Sequence, residues 1–441
     1  MTALATDTMR RGACPSLVAP MRTGDGLLVR LRPVAPALTA EDLLALAGLA
    51  REHGNGLIEI TARGNLQLRG LTEASAPRLA EGLAAAGIVP QTGVAIEIPP
   101  LSGIDPTESA DAAPLADALR RAIAAALLPL APKLAIVVDG GGVLSLADMV
   151  ADIRLDAVGD GAAWRLSVGG DRRTARPVAA LPRDRIVAGA MTIVAALAAI
   201  GPAARGRDLD AAALAAGFGA ASEPMLADIP ARHPLGVHPI GGESVLGVAP
   251  AYGQMHAERL AALVKGLAAR GALEFRLAPH RTLLVRGLSG ESLADAEACA
   301  GREGFWCTDT APGRSISICA GAAGCASARF DTHAAADALV AAAPDLLDGS
   351  VDLHISGCPK GCAHPARAAV TLCGTAAGVG LVLDGRAGDM PAATLPIDGL
   401  KPAIQRLGTL LRAHRGEGET ARSLIDRTAP AALVSAYQGQ Q

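Results

Sequence analysis

The 441-residue sequence predicts an α+β fold in which two copies of one half-domain alternate with two α/β domains around a central cleft. Three observations carry that expectation. Residues 26–71 can be laid over residues 243–288 without a gap, apolar strands run into glycine turns between and after these copies, and seven of the eight cysteines fall between Cys299 and Cys373.

The constant offset of 217 residues places Glu41 over Glu258, Leu43 over Leu260, Leu46 over Leu263, Gly54 over Gly271, and Arg69-Gly70-Leu71 over Arg286-Gly287-Leu288. Each copy opens on a short alternating apolar segment. It continues through a helix with leucines three and four residues apart, two further strands and a second helix. That is half of a ferredoxin-like α+β domain. Alone, such a half-sheet would expose an unfinished face and edges, so the copies are expected to pair about a pseudo-twofold axis.

Between the copies, residues 130–142 (LAPKLAIVVDGGG) read as a strand entering a glycine turn and residues 152–158 (DIRLDAV) as another strand. RLSVGG and a helix from Ile186 to Ala199 follow. After the second copy, RSISICAGAAGCASARF and VDLHISGCPKGCAHP each set cysteines just beyond an apolar strand, and two helices are expected between Pro402 and Tyr437. The resulting boundaries are 15–92 and 229–301 for the half-domains. They are 93–228 and 302–441 for the α/β domains.

Composition narrows the function classes. With 40 Lys plus Arg against 43 Asp plus Glu, the formal charge of −3 gives no global attraction for nucleic acid or an anionic membrane, so any anion site must be local. The first 21 residues lack the apolar core of an export signal, and the apolar run at 186–200 is too short to span a bilayer. Cytoplasmic residence without a membrane partner is the expectation. In a reducing compartment, clustered cysteines point to metal or redox chemistry before disulfides.

Cys319 and Cys325 form C-x5-C, and Cys358 and Cys362 form C-x3-C, with 32 residues between the pairs. Four thiolates are the complement of a [4Fe-4S] cluster. Gly321, Gly324, Gly357 and Gly361 would let backbone approach inorganic sulfur and free amides to donate to it. Structural zinc and unconnected buried thiols are the competing readings; zinc favours tighter pairs such as C-x2-C or C-x4-C. Cys14, Cys299, Cys307 and Cys373 read as packing residues.

Arg63, Asn65, Gln67 and Arg69 alternate along ITARGNLQLRG, which on a strand would put them on one face beside Arg30 and Arg32. Such a face is either solvated or a clamp for a multiply carboxylated ligand. In the second copy His280, Thr282 and Leu284 replace the first three. Lys133, on the strand leading into Asp139, could add a point charge to the same cleft. His364, two residues beyond Cys362, is a candidate acid, base or iron ligand, against a structural role; His354 lies on the other side of Cys358.

The half-domain order, the TARGNLQ segment and the C-x5-C and C-x3-C pairs resemble the sulfite and nitrite reductase superfamily, whose members carry sirohaem and [4Fe-4S]. The resemblance implies that Cys362 stands where a cysteine bridges cluster and sirohaem iron, and that Thr61-Ala62-Arg63-Gly64 stands where the reductases bind the anionic macrocycle. It departs at Lys133-Leu134-Ala135, where the reductases have Lys-x-Lys, and at GVAIEIP before PLSGIDP, which offers no basic group. Both absences weaken a six-electron reduction of a small oxyanion, which needs donors for developing charge.

Within the superfamily, KLAIVVDGGG, DIRLDAV, ICAGAAGCASA, HISGCPKGCAHP and VGLVLDGRAGDMP most resemble the precorrin-3B synthase family of aerobic cobalamin biosynthesis. The resemblance implies oxygen-dependent hydroxylation of precorrin-3A at C20 with closure of a γ-lactone from the ring A acetate. It also implies a [4Fe-4S] cluster with an associated mononuclear non-haem iron, dioxygen, an NADH-linked or other electron donor, and no requirement for sirohaem. Arg30, Arg32, Arg63, Asn65, Gln67 and Arg69 would then hold substrate carboxylates, with His364 and Lys133 at the reacting centre. A sirohaem-dependent sulfite or nitrite reductase and a non-enzymatic iron-sulfur or tetrapyrrole carrier are the alternatives.

Overall fold

The computed structural model describes residues 15–219 and 232–439. Cys14, most of the segment read for an export signal, and the expected 228/229 boundary lie outside them. The first half-domain contains β1 (Met21–Thr23), β2 (Gly26–Leu31), α1 (Ala40–His53), β3 (Leu57–Ile60), β4 (Leu66–Leu71) and α2 (Ser75–Ala85). The α1 helix starts at a capping box: Thr39 accepts the Asp42 amide, and the Asp42 carboxylate accepts the Thr39 amide. Then come β5 (Ala95–Glu97), α3 (Ala113–Ala126), β6 (Ala135–Asp139), β7 (Ala151–Val158), β8 (Ala163–Gly170), β9 (Arg176–Pro182), α4 (Ile186–Ile200) and α5 (Ala211–Phe218).

The second copy supplies β10 (Gly236–Ile240), β11 (Glu243–Pro250), β12 (Gln254–His256), α6 (Ala257–Ala268), β13 (Glu274–Ala278), β14 (Thr282–Arg286), α7 (Leu293–Arg302) and β15 (Phe305–Trp306). The last region holds β16 (Ile316–Ile318), α8 (Gly321–Gly324), α9 (Thr332–Ala342), β17 (Leu353–Ser356), β18 (Ala368–Thr375), β19 (Gly378–Gly385) and β20 (Ala393–Leu395). It closes with α10 (Leu400–His414), α11 (Ala421–Arg427) and α12 (Pro430–Gln438). Three helices stand where two were expected. Thr420 caps α11 through the Ser423 amide and Pro430 opens α12, so the tail breaks twice.

Among the described residues the strands form four five-stranded sheets. The two half-domain sheets are knitted together by an exchange that the sequence reading did not foresee. Strand β12 of the second copy completes the first sheet, with Met255 opposite Ile58. In return Leu38 bridges Phe275 of the second sheet through paired 2.8 Å backbone bonds. These contacts are equivalent, because adding 217 turns Leu38 into Met255 and Ile58 into Phe275. The pseudo-twofold relation thus holds at single-residue register and gives each open edge a partner. Leu43 and Leu46 of α1 join Leu260 and Leu263 of α6 in one shared core.

Each α/β region runs parallel strands into antiparallel ones, β5-β6-β7-β8-β9 and β16-β17-β18-β19-β20. Loops leaving the carboxyl ends of the parallel strands β6 and β16 reach the half-domains, at Arg63 and at Gly24, where open α/β sheets usually present their sites. Among the described residues no helix is long and apolar enough to cross a membrane.

Candidate functional site

The outer face of the first sheet carries a polar row. Arg30, Gln67, Glu59 and Gln254 are consecutive cross-strand partners on β2, β4, β3 and β12. Leu66, Leu68, Val29, Leu31, Ile58 and Ile60 point the other way into the core. Gln67 accepts from Arg30 Nε at 3.1 Å and Nη2 at 2.7 Å, and its amide donates to Glu59. Glu59 also accepts from Gln254 Nε2 at 3.0 Å and Arg69 Nη1 at 3.2 Å.

Arg69 is bidentate on Asp25, with Nε and Nη2 each 2.9 Å from a carboxylate oxygen. Burial alone would lower its pKa, but Glu59 and Asp25 hold it above the ordinary arginine value. Arg32 pairs with Glu97 and donates to the Arg63 carbonyl at 3.0 Å. These two expected carboxylate anchors are therefore engaged by carboxylates of the chain itself, a correction that sequence alternation could not reveal because Asp25 and Glu97 come from distant loops and strands.

Arg63 and Asn65 also depart from expectation. They stand in the turn between β3 and β4, closed by Gly64 N–H to the Thr61 carbonyl at 2.9 Å and Thr61 N–H to the Asn65 carbonyl at 2.8 Å. Gly64 has φ of 74° and lies so close to the Ala278 backbone that a Cβ would fall 2.7 Å from its carbonyl. Only glycine combines that conformation with that approach. The facing β13–β14 turn puts His280 and Arg281 at φ of 58° and 64°, and His280 N–H donates to the Ala62 carbonyl at 2.8 Å.

Both turns meet the loop after β6. Arg63 Nη2 donates to the Val150 carbonyl at 2.7 Å, and His280 Nε2 lies 3.2 Å from Asp148, whose pKa that contact lowers. The loop is fixed from beneath by the fully buried Arg154, which donates to the Leu146 and Met149 carbonyls at 3.2 and 2.7 Å and pairs with Asp156 at 2.8 Å. Lys133 does not join this loop. It is exposed in the turn before β6, at the amino end of a five-residue strand about 17 Å long whose carboxyl end carries Asp139. The strand begins two residues later than a clustered role for Lys133 required.

The cysteine loops pack against the first half-domain. Cys319 accepts from Gly357 N–H at 3.1 Å, and burial raises its pKa while the amides of Gly357 and Gly321 oppose that. Gly357 is pressed against Ala328 and lies beneath the Gly374 backbone, leaving no room for a side chain. Burial likewise raises Cys362, with the neighbouring thiols of Cys358, Cys319 and Cys325 adding to it and Arg69 opposing it. A Cβ on Gly24 would collide with the Cys325 sulfur, and Ala326 N–H donates to the Gly24 carbonyl at 3.1 Å.

The thiols of Cys319, Cys325, Cys358 and Cys362 act on one another electrostatically and amides meet the Cys319 sulfur, a donor set that fits an iron-sulfur cluster, which these four residues would hold. Among the described residues no three His, Cys, Asp or Glu side chains gather about one point as ligands of a single ion would. The same fact means that a separate mononuclear iron finds no ready three-ligand set among the described residues. His364 is half-buried, with Nε2 3.3 Å from the Arg367 carbonyl and its ring 5.6 Å from that of His354. His354 is 1% exposed, and neither ring nitrogen has a partner.

A polar face on one half-domain, a pseudo-symmetric partner and a four-thiol loop pair define a nitrite/sulfite reductase-like protein. The profile of the nitrite/sulfite reductase ferredoxin-like half domain matches residues 19–86. The NirA protein of Mycobacterium tuberculosis superposes with a TM-score of 0.65 over 92% of this chain and 84% of its own, at 21% identity, which speaks to the fold. A ferredoxin–nitrite reductase of Synechococcus elongatus is 27% identical over 79% of this chain and 76% of its own. A precorrin-3B synthase of a Sinorhizobium species is 45% identical over 98% of this chain and 95% of its own. The chain belongs to the precorrin-3B synthase family, and it is an enzyme.

Proposed function

We propose that this chain is an oxygen-dependent monooxygenase that converts precorrin-3A to precorrin-3B, placing a hydroxyl on C20 and closing a γ-lactone from the ring A acetate. The full-length relationship to the Sinorhizobium precorrin-3B synthase carries this reading, because it runs through both the polar half-domain face and the cysteine loops. One oxygen atom enters C20, and the other leaves as water with two electrons and two protons from the donor. The cluster, when bound, supplies electrons singly.

The chain's own part is to hold and orient. Arg63, at the junction of both hairpin turns and the Asp148–Val150 loop, is the carboxylate anchor best placed for a macrocycle; Arg30, Asn65 and Gln67 extend that wall. Fixing the ring restrains C20 and brings the acetate carboxylate to C1 in the geometry of attack. His364 is the candidate to move the proton between carboxyl and solvent at the cysteine-loop side.

The deciding assay gives anaerobically purified protein precorrin-3A, a reductant and isotopically labelled dioxygen. Labelled oxygen in the C20 hydroxyl is expected. Hydroxyl oxygen drawn from water rejects the proposal, and turnover of sulfite or nitrite with an extracted iron isobacteriochlorin would place the chain with the reductases instead.

A further inference from the structure

The polar row and the cysteine loops meet at one side chain. Arg69 lies on β4 two residues beyond Gln67, on the same face, and its guanidinium is clamped by Asp25 and Glu59 at 2.9 and 3.2 Å. Asp25 is the neighbour of Gly24, whose Cα faces the Cys325 sulfur and whose carbonyl receives the Ala326 amide. Asn55 Nδ2 braces the same Asp25 carboxylate at 3.2 Å. The arginine side chain is 12% exposed and the aspartate 6%, so water does little to screen them. The same positive charge acts on Cys325 and opposes the elevation of the Cys362 thiol.

This is the opposite of a ligand-ready arginine. A residue meant to grip a substrate carboxylate keeps a face of its guanidinium for that purpose, whereas Arg69 is bidentate on one buried carboxylate and bonded to a second. In the second copy the clamp is built from other carboxylates: Arg286 keeps the place of Arg69 and pairs with Glu274 at 2.6 Å and Glu243 at 2.9 Å, while Glu59 becomes Arg276 and Asp25 becomes Gly242. That face is instead covered by an apolar group of Leu101, Leu144, Val245 and Leu284. Both copies thus hold a clamped arginine, and Arg69 is the one whose clamp adjoins the cysteine loops, through Gly24 against Cys325 and Ala326.

We propose that Arg69 is a positioning residue for electron transfer: a fixed cation at the edge of the four-cysteine centre that favours its reduced form and so sets its reduction potential, while Asp25 and Glu59 hold it in place. The proposal rests on the four-cysteine iron-sulfur reading. Reduction adds one negative charge to the centre, and a cation held nearby in a screened-off setting stabilises that charge.

The test is a reductive titration of the anaerobically purified full-length enzyme, followed by electron paramagnetic resonance, with iron and acid-labile sulfide measured on the same samples. In Arg69→Gln the reduced-to-oxidised ratio at fixed donor potential should fall on the order of tenfold, about 59 mV for a one-electron couple. Arg69→Lys, which keeps the charge, should recover most of it. Asp25→Asn, which removes a negative charge beside Cys325, should move the ratio the other way.

An unchanged potential in Arg69→Gln with full iron and sulfide overturns the proposal, as does a loss of precorrin-3A affinity with no change in potential, which would make Arg69 a substrate anchor. Should Arg69→Gln fail to assemble the centre, Asp25→Asn decides, and an unmoved potential there overturns it. Wild-type protein without iron and sulfide would instead remove the iron-sulfur reading itself.

Discussion

Arg63 and His280 occupy equivalent positions in the two copies and grip the same loop, Arg63 through the Val150 carbonyl at 2.7 Å and His280 through the Asp148 carboxylate at 3.2 Å. Duplication placed two hairpin tips against each other, and divergence gave one tip a guanidinium and the other an imidazole. The β6–β7 loop reads both. One arm of the junction is therefore suited to an anion at any physiological pH.

Replacing Arg63 with alanine should weaken precorrin-3A binding by about 10- to 100-fold, the loss of one charge-assisted contact of about 1.5–3 kcal/mol. Iron and sulfide content should stay at the wild-type level, because the guanidinium is directed at the Val150 carbonyl of the loop after β6. Anaerobic absorbance titration measures the affinity, and an unchanged dissociation constant rejects the anchor. His280→Ala, by contrast, should cost within about 1 kcal/mol of stability, since its pairing with Asp148 is two-fifths to half exposed and solvent-screened.

How much of this was legible in the sequence depends on how local the cause is. The repeat, the long helices and the cysteine pairs could be read because periodicity and spacing are carried by neighbouring residues. The strand exchange could not: Gln254–His256 is three residues long and Leu38 makes a single bridge, too little for a pattern to register. Arg63 and Asn65 were drawn into a strand by their alternation, although Gly64 between them is the turn signal that decides the matter. The partners of Arg69 were invisible for another reason, since Asp25 lies 44 residues away in a loop whose position only the folded β1–β2 hairpin defines.

Arg154 makes a stability prediction. It is fully buried, faces Asp156 at 2.8 Å and Asp139 at 3.6 Å, and holds the loop that carries Asp148 through two carbonyls. Arg154→Met would take the cation from Asp139 and leave Asp156 to Arg172 at 3.2 Å, and removing one partner of a buried ion pair typically costs about 3–5 kcal/mol. Urea unfolding at pH 7 should show a loss of that size, with a smaller loss when Asp156→Asn is added. Equal midpoints for wild type and Arg154→Met would show that the network contributes nothing net.

The cysteines divide into two classes with opposite expectations. Cys319→Ala should strip iron and sulfide from the purified chain, because its sulfur is the one reached by the Gly357 amide at the junction of both loops. Cys299→Ala and Cys373→Ala should keep them and lose only packing, about 1 kcal/mol or somewhat more for each buried thiol. Cys299 is wedged against Gly266 of α6, and burial raises Cys373 to about 11, which keeps it a thiol. Loss of iron and sulfide from Cys373→Ala, with Cys319→Ala retaining them, would reverse the assignment.

His354 supplies the pH prediction. Burial, with the neighbouring His364 adding repulsion, depresses its pKa to about 4, while the unfolded chain titrates near 6.5. The folded state resists a proton that the unfolded state accepts, so the neutral ring's contribution is complete above about pH 6.5, declines as the pH falls, and stops changing below about 4. The slope is about 1.4 kcal/mol per pH unit across that window, or roughly 3 kcal/mol in all. His354→Leu puts an apolar group among Leu353, Leu372 and Leu383 and removes two buried nitrogens that have no partner. Urea midpoints for both proteins at pH 7.5 and pH 5.0 should therefore show the variant losing less stability on acidification, by about 2 kcal/mol. His233, also depressed by burial, titrates identically in both proteins and cancels from the comparison. Parallel losses in the two proteins would mean that His354 takes up its proton in the folded state as readily as in the unfolded one.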